Sequence, residues 1–259
     1  MSEFLVATDA HGATLDDLVA TYKSLVVSGS KDIKWFVYGA VPDAVKHLQR
    51  RWSFRRVRVV ATADEFKTSD FVIFLNAGDG LYRESLVSVR EAIHKNAATD
   101  LIYGDAAHPT GIKAEPLSFV RRPGWSPERL RGHCYVGETL VARTEVVERA
   151  GGITELVVQH PHDRALRLTE NAKNIVRMPE LLTMAKSRDT RPSASLDAVI
   201  KHCARQKIDA NCELDAAVPS VRVKRNLTTQ PSVAVIVPTR GTSAEVFGKQ
   251  RVLVVEAVR

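Results

Sequence analysis

Apolar and polar residues along this chain fall into blocks of two kinds. Short unbroken apolar runs form the first kind: FLVAT (Phe4 to Thr8), IKWFVYG (Ile33 to Gly39), RVRVVAT (Arg56 to Thr62), DFVIFLN (Asp70 to Asn76) and DLIYGD (Asp100 to Asp105). Such runs predict strands buried on both faces. Between them lie segments with apolar residues three and four apart. In ATLDDLVATYKSLVVSG, Leu15, Leu18, Val19, Tyr22 and Leu25 or Val26 share one helical face. Thr14 is placed to cap that helix and Gly29 to end it. PDAVKHLQRRW and YRESLVSVREAIHKN read as further helices, and DEFKTS as a short helix or turn. Strands alternating with helices predict an α/β fold: a mostly parallel central sheet with helices on both faces. Ligands of such sheets bind at the carboxyl ends of the strands. Thr8-Asp9, Tyr38-Gly39, Asn76 to Asp79 and Gly104-Asp105 all fall at those ends.

The rhythm changes after Ala106. HPTGIKAEPLSFVRRPGWSPERL is rich in Pro and Gly and predicts loops with a short strand. HCYVGETLVAR predicts a strand, TEVVERAGG and PHDRALRLTENA helices, NIVRMP a strand, SLDAVIKHCARQK a helix and VRVKRNL a strand. SVAVIVPTRG then repeats the pattern of the opening EFLVATDAHG: an apolar strand, a Thr, a turn. The predicted division is one domain over residues 1–230 and the start of a truncated second copy over 231–259.

Composition narrows the function. Apolar residues make up 44% of the 259 residues, enough for a large core, and the net charge is +7. Basic stretches at Arg50 to Arg58, Phe119 to Trp125 and Val221 to Arg225 lie on different elements, and aromatics total 6%. A nucleic-acid groove would need basic residues with interleaved aromatics on one surface; nucleic acid is therefore not an expected partner. Three widely spaced cysteines fit neither a zinc motif nor a disulfide framework. The first residues lack the pattern of a secretory leader, and no apolar run is long enough to span a membrane. The expectation is a cytoplasmic protein, with peripheral association at the inner face of the membrane compatible with its charge.

An ordered series of motifs resembles the family 2 glycosyltransferases of the GT-A fold, especially the bacterial type with two such domains in tandem. DFVIFLNAGDGL resembles the strand leading to the family's Asp-x-Asp metal motif, and DLIYGDAAH a downstream acidic stretch. RRPGWSPERLRGHCYVGETLVARTEVVERAGGI resembles the segment between donor and acceptor sites, and QHPHDRALRLTE the helix carrying the catalytic acids. The resemblance implies a nucleotide-sugar donor, a glycan or lipid-linked glycan acceptor, a divalent metal (Mg or Mn), and inverting displacement in polysaccharide biosynthesis. Residue by residue, it implies Asp79 as metal ligand and Asp9, Tyr38, Asn76 and Asp105 around the donor. Trp125, His133 and Tyr135 would line the acceptor site. Asp163, with His160 or His162 beside it as base, would carry the catalysis, because Pro161 stands where the family has its base and cannot accept a proton. The metal motif reads Asn76-Ala77-Gly78-Asp79, and Ala106 and Ala107 follow Asp105 where acids are usual. A second reading follows from these replacements: a catalytically degenerate glycosyltransferase-fold scaffold or partner domain.

Overall fold

The computed structural model describes residues 3–28, 33–39, 57–60, 69–113, 115–186, 192–230, 232–237, 240–253 and 255. The helix expected at PDAVKHLQRRW, the DEFKTS turn up to Thr68, and Gly29 lie outside the described residues, as does all but the end of the first basic stretch. The chain forms two compact units, Met1–Arg225 and Asn226–Arg259.

In the first unit β1 (Phe4–Asp9), β2 (Ile33–Tyr38), β3 (Val57–Val60) and β4 (Phe71–Phe74) pair in parallel in the order β3-β2-β1-β4. Their apolar runs are unbroken because both faces are covered. Phe4, Val6, Phe71 and Ile73 enter one core cluster; Leu5, Ala7, Val72 and Phe74 enter the other. The first face is covered by α1 (Leu15–Val27) through Leu18, Tyr22 and Leu25, and by α2 (Ser85–Lys95) through Leu86, Val89 and Ile93. Truncating a side chain such as Ile73, which is fully buried, would cost about 2–5 kcal/mol. The expected cap is present: the Asp17 N–H donates to Thr14 Oγ1 at 3.2 Å, and the Thr14 N–H to Asp17 Oδ2 at 3.1 Å.

Beyond β4 the sheet is mixed. β8 (Leu140–Arg143) lies antiparallel between β4 and β6 (Leu101–Ile112). β6 pairs in parallel with β9 (Ile175–Met184) and forms a hairpin with β7 (Glu115–Val120). The two-residue β5 (Gly80–Leu81) closes the far edge against β9. The strand predicted in HCYVGETLVAR is confined to its last four residues, Leu140–Arg143, and runs against its neighbours. The second face is covered by α4 (Thr144–Arg149), α5 (Ile153–Val158) and α6 (Pro161–Asn171), through Val146, Val147, Leu156, Leu166 and Leu168. A short helix, α3 (Pro127–Gly132), precedes β8. The hairpin β10 (Ala210–Leu214)–β11 (Val221–Arg225) follows α7 (Pro192–Arg205).

In the second unit the hairpin β12 (Ser243–Val246)–β13 (Lys249–Val252) turns at Phe247-Gly248, both with positive φ, the backbone that two-residue hairpin turns require. The apolar run expected to open a second sheet forms no strand among the described residues. Val233, Val235 and Ile236 are exposed. β1 has the same pattern but is received by β2, β4 and α1; no ladder receives this run among the described residues.

Candidate active site

The glycine-flanked acid after β4 is positioned by contacts from three directions. The Thr21 hydroxyl of α1 donates to the Asp79 carbonyl at 2.8 Å and accepts the Gly78 N–H at 2.9 Å. The Lys186 main chain, just past β9, donates its N–H to Asp79 Oδ1 at 2.5 Å. The Lys186 ammonium bonds Asp17 across Gly78. Gly78 has φ +86, and a Cβ there would stand 2.9 Å from Lys186 Cδ and 3.0 Å from Asp17 Oδ1. Only glycine fits both the backbone and the space. The lysine partner holds the Asp17 carboxyl at about 2, with help from Thr14.

Asp79 itself is 2% exposed. Burial pushes its carboxyl up to about 7, against the Lys186 N–H, which lowers it; the Glu138 carboxylate adds to the rise. Glu138 reaches this place through the antiparallel insertion. Phe74 pairs with Leu140, so the residue two beyond Phe74 faces the residue two before Leu140. The Asn76 amide accordingly bonds the Glu138 carboxylate and donates weakly to Asp79 Oδ2 at 3.4 Å. The Glu138 carbonyl accepts from Arg164 Nη2 at 3.1 Å. Arg164, on α6, is buried with its guanidinium 5.1 Å from the Phe74 ring centroid. Burial lowers its pKa, and Glu138 and Asp9 counter that effect.

A cavity of about 410 Å³ opens here, lined by Asp79 and Glu138, by Gly104, Ala106 and His108 of β6, and by the segment from Val120 to Pro123. Arg129, the stretch from His133 to Thr139, and residues 160–162 at the start of α6 complete much of its wall. Of the residues singled out in the sequence, Asp79, His133, Tyr135, His160 and His162 line this cavity, and Asn76 bonds two of its carboxyls. The Tyr135 hydroxyl accepts the Ser126 N–H at 2.7 Å. Its ring stands edge-on to Tyr103 at 6.1 Å. His162 is fully buried and its Nε2–H donates to the Leu130 carbonyl at 2.6 Å. A carbonyl only accepts, so Nε2 carries the proton and Nδ1 keeps a lone pair. Nδ1 has no hydrogen-bond partner among the described residues. Burial lowers the His162 pKa to about 4.

The other predicted residues lie elsewhere. Asp105 accepts the Arg122 N–H at 2.8 Å and pairs with Arg177 at 3.0 Å; it does not line the cavity. Asp163 pairs with Arg167 at 2.9 Å and Arg205 at 3.4 Å, tying α6 to α7. Trp125 packs half-buried against the core. Asp9 and Tyr38 are register partners at the ends of β1 and β2. Asp9 Oδ1 accepts from His11 Nδ1 at 2.6 Å, and the His11 ring lies 5.5 Å from Tyr38. Sequence reasoning missed Glu138, Lys186, Arg164 and His11. The signal for Glu138 was an acid directly before an apolar run, uninformative until the direction of that strand is known.

A divalent cation is the group this fold type implies. Among the described residues no three acidic, His or Cys side chains form a metal-holding group, so an all-protein cage does not fit. Two converging carboxyls, Asp79 and Glu138, do fit an ion that takes its remaining ligands from a phosphate and water.

No family model matches the chain. It is similar to the O-antigen biosynthesis protein RfbC of Myxococcus xanthus, 30% identical over 260 residues, covering 89% of this chain. The chain spans about a fifth (20%) of that protein's length. Among solved structures it is similar to S. aureus TarS 1-349, with a TM-score of 0.54 at 13% identity, over 78% of this chain and 64% of TarS 1-349. The same TarS fragment in complex with UDP aligns with a TM-score of 0.50 at 12% identity, over 77% and 65%. The chain has a GT-A-like glycosyltransferase fold. β1, β2 and β4 run in parallel, so their carboxyl ends fall on one edge of the sheet. Asp79 stands at the end of the fourth strand, where the sequence motif placed it.

Proposed function

We propose that this chain transfers a sugar from a nucleotide-sugar donor to a glycan acceptor, with inversion. The observation that supports this most is Asp79: a buried acid beside a second carboxyl, in a cavity at a strand end of a glycosyltransferase fold. A leaving nucleoside diphosphate develops negative charge, and a divalent ion held by Asp79 with Glu138 would offset it. Asn76 orients the two carboxyls. Asp9, Tyr38 and His11 form an aromatic-acid cluster suited to a nucleoside. UDP in complex with TarS 1-349 makes a uridine nucleotide the first donor to try.

Single displacement needs a group to take the acceptor proton. With Glu138 committed to the ion, the His162 Nδ1 lone pair is the cavity group suited to do so. Asp163 is engaged by two arginines and serves to hold α6, and with it His162, in place. His133 and Tyr135 offer the acceptor an imidazole and a ring face. RfbC's role in O-antigen biosynthesis supports a glycan or lipid-linked glycan as acceptor. No helix among the described residues is long and apolar enough to cross a membrane; contact with a lipid-linked acceptor at the inner face of the membrane is part of this proposal.

Calorimetry with UDP and UDP-sugars, with and without Mn or Mg, tests the reading. Metal-dependent binding, lost in Asp79→Asn, is expected; failure of every nucleotide to bind counts against it. The replaced acids at Pro161, Ala106 and Ala107, and the arginine pairing of Asp163, favour a second reading, a non-catalytic scaffold. That reading predicts a folded chain with no donor hydrolysis.

A further inference from the structure

We propose that the acceptor is an anionic saccharide, bearing phosphate or carboxylate, received by a guanidinium wall of Arg121, Arg122 and Arg129; this rests on the transferase reading above. The three arginines line the same cavity as Asp79 and come from one short stretch, Arg121 and Arg122 just after β7 and Arg129 within α3. That stretch is pinned by two buried tyrosines. Tyr103 donates its hydroxyl proton to the Pro123 carbonyl at 2.8 Å, and Tyr135 accepts the Ser126 N–H at 2.7 Å. The arginine heads are positioned as well. Arg122 Nη1 donates to the Tyr135 carbonyl at 3.0 Å, and its guanidinium packs against Gly137, where a Cβ would meet Nη2 at 2.8 Å. The Arg129 guanidinium lies over the Tyr135 ring, 5.5 Å from its centroid.

Two members of this wall, Arg121 and Arg129, have charge to offer a ligand. Arg129 makes no ion pair among the described residues, and Arg121, with its side chain 81% exposed, reaches Asp105 only at 3.5 Å. His133, beside them, reports the resulting field: burial lowers its pKa first, and Arg129 and Arg122 lower it further. A neutral sugar has no use for the charge of Arg121 and Arg129. An oxyanion takes charge-assisted, forked hydrogen bonds from them. The acids of the cavity, Asp79 and Glu138, come from other loops, after β4 and before β8, and are assigned to the donor and its metal. The nucleoside cluster at Asp9 and Tyr38 does not line this cavity, which separates the wall from the nucleoside end.

The test is binding of glucose 6-phosphate, glucuronate and glucose to the whole chain by NMR titration, with UDP as a donor-site control. Either anionic sugar should bind at least about tenfold more tightly than glucose, and the stronger of the two identifies the oxyanion. Arg129→Gln should remove most of that preference, Arg129→Lys should keep it, and UDP affinity should not change in either. Equal binding of the charged and neutral sugars overturns the proposal. So does an Arg129→Gln variant that loses UDP while keeping the anionic sugar, because the wall would then serve the donor phosphates. Selective anion binding by a chain that binds no nucleotide supports the wall and overturns the transferase reading alone.

Discussion

Two kinds of buried carboxylate coexist in this molecule. Asp79, Asp105 and Asp163 are all within 3% of full burial. Asp105 and Asp163 each face arginines, Arg177 and Arg121 for one, Arg167 and Arg205 for the other. Asp79 makes no ion pair among the described residues and is met instead by a backbone N–H, an amide and a second carboxyl. A buried charge with a fitted counter-ion is a structural element. A buried acid left without one, facing a cavity, is unfavourable for the fold alone and points to a ligand that brings positive charge. The sequence presented the three as members of one site; the structure divides them by partner.

Substitutions sharpen this division. Asp79→Asn keeps the shape and the Lys186 contact but removes a charged ligand. We expect donor turnover to fall on the order of 10²–10³-fold, with the melting curve retained; a variant of undiminished turnover breaks the comparison. The next effect is a pH dependence at His162. Its folded pKa, about 4, lies below the unfolded value of about 6.5. Between those values the unfolded state binds a proton that the folded state does not, so stability falls as pH drops from about 6.5 to 4. The loss is about 3 kcal/mol, and urea titrations at pH 7 and pH 4 would show the slope shrink in His162→Gln. Asp163→Asn should then cost about 2 kcal/mol by weakening charged hydrogen bonds to Arg167 and Arg205, which keep Glu155 and Glu170 as partners. Nucleotide affinity of the folded fraction should stay unchanged, since Asp163 does not face the cavity. Loss of nucleotide affinity without loss of stability would return Asp163 to the site. Smallest is Thr14→Ala, expected to cost about 1 kcal/mol. A drop in donor affinity is expected with it, because the same cap holds Asp17, which anchors Lys186 beside Asp79.

Much of the fold was legible. β1, β2 and β4 announced themselves because strands covered on both faces need unbroken apolar runs, and Thr14 announced its helix because the cap chemistry is local. The place of Asp79 was visible in part, since a polar, glycine-containing turn has to follow such an apolar run. Glu138 was not visible, because nothing in HCYVGETLVAR states that the strand enters the sheet reversed. Nor was the pairing of Asp163 with Arg205, which lies 42 residues away.

The sequence by itself determined which segments are strands and helices and where the first sheet's carboxyl ends fall, because periodicity and capping depend on neighbours along the chain. Only the tertiary structure decided which acids remain without a counter-ion and which arginines line the cavity. Strand direction and burial set those outcomes, and both depend on residues brought together from distant parts of the chain.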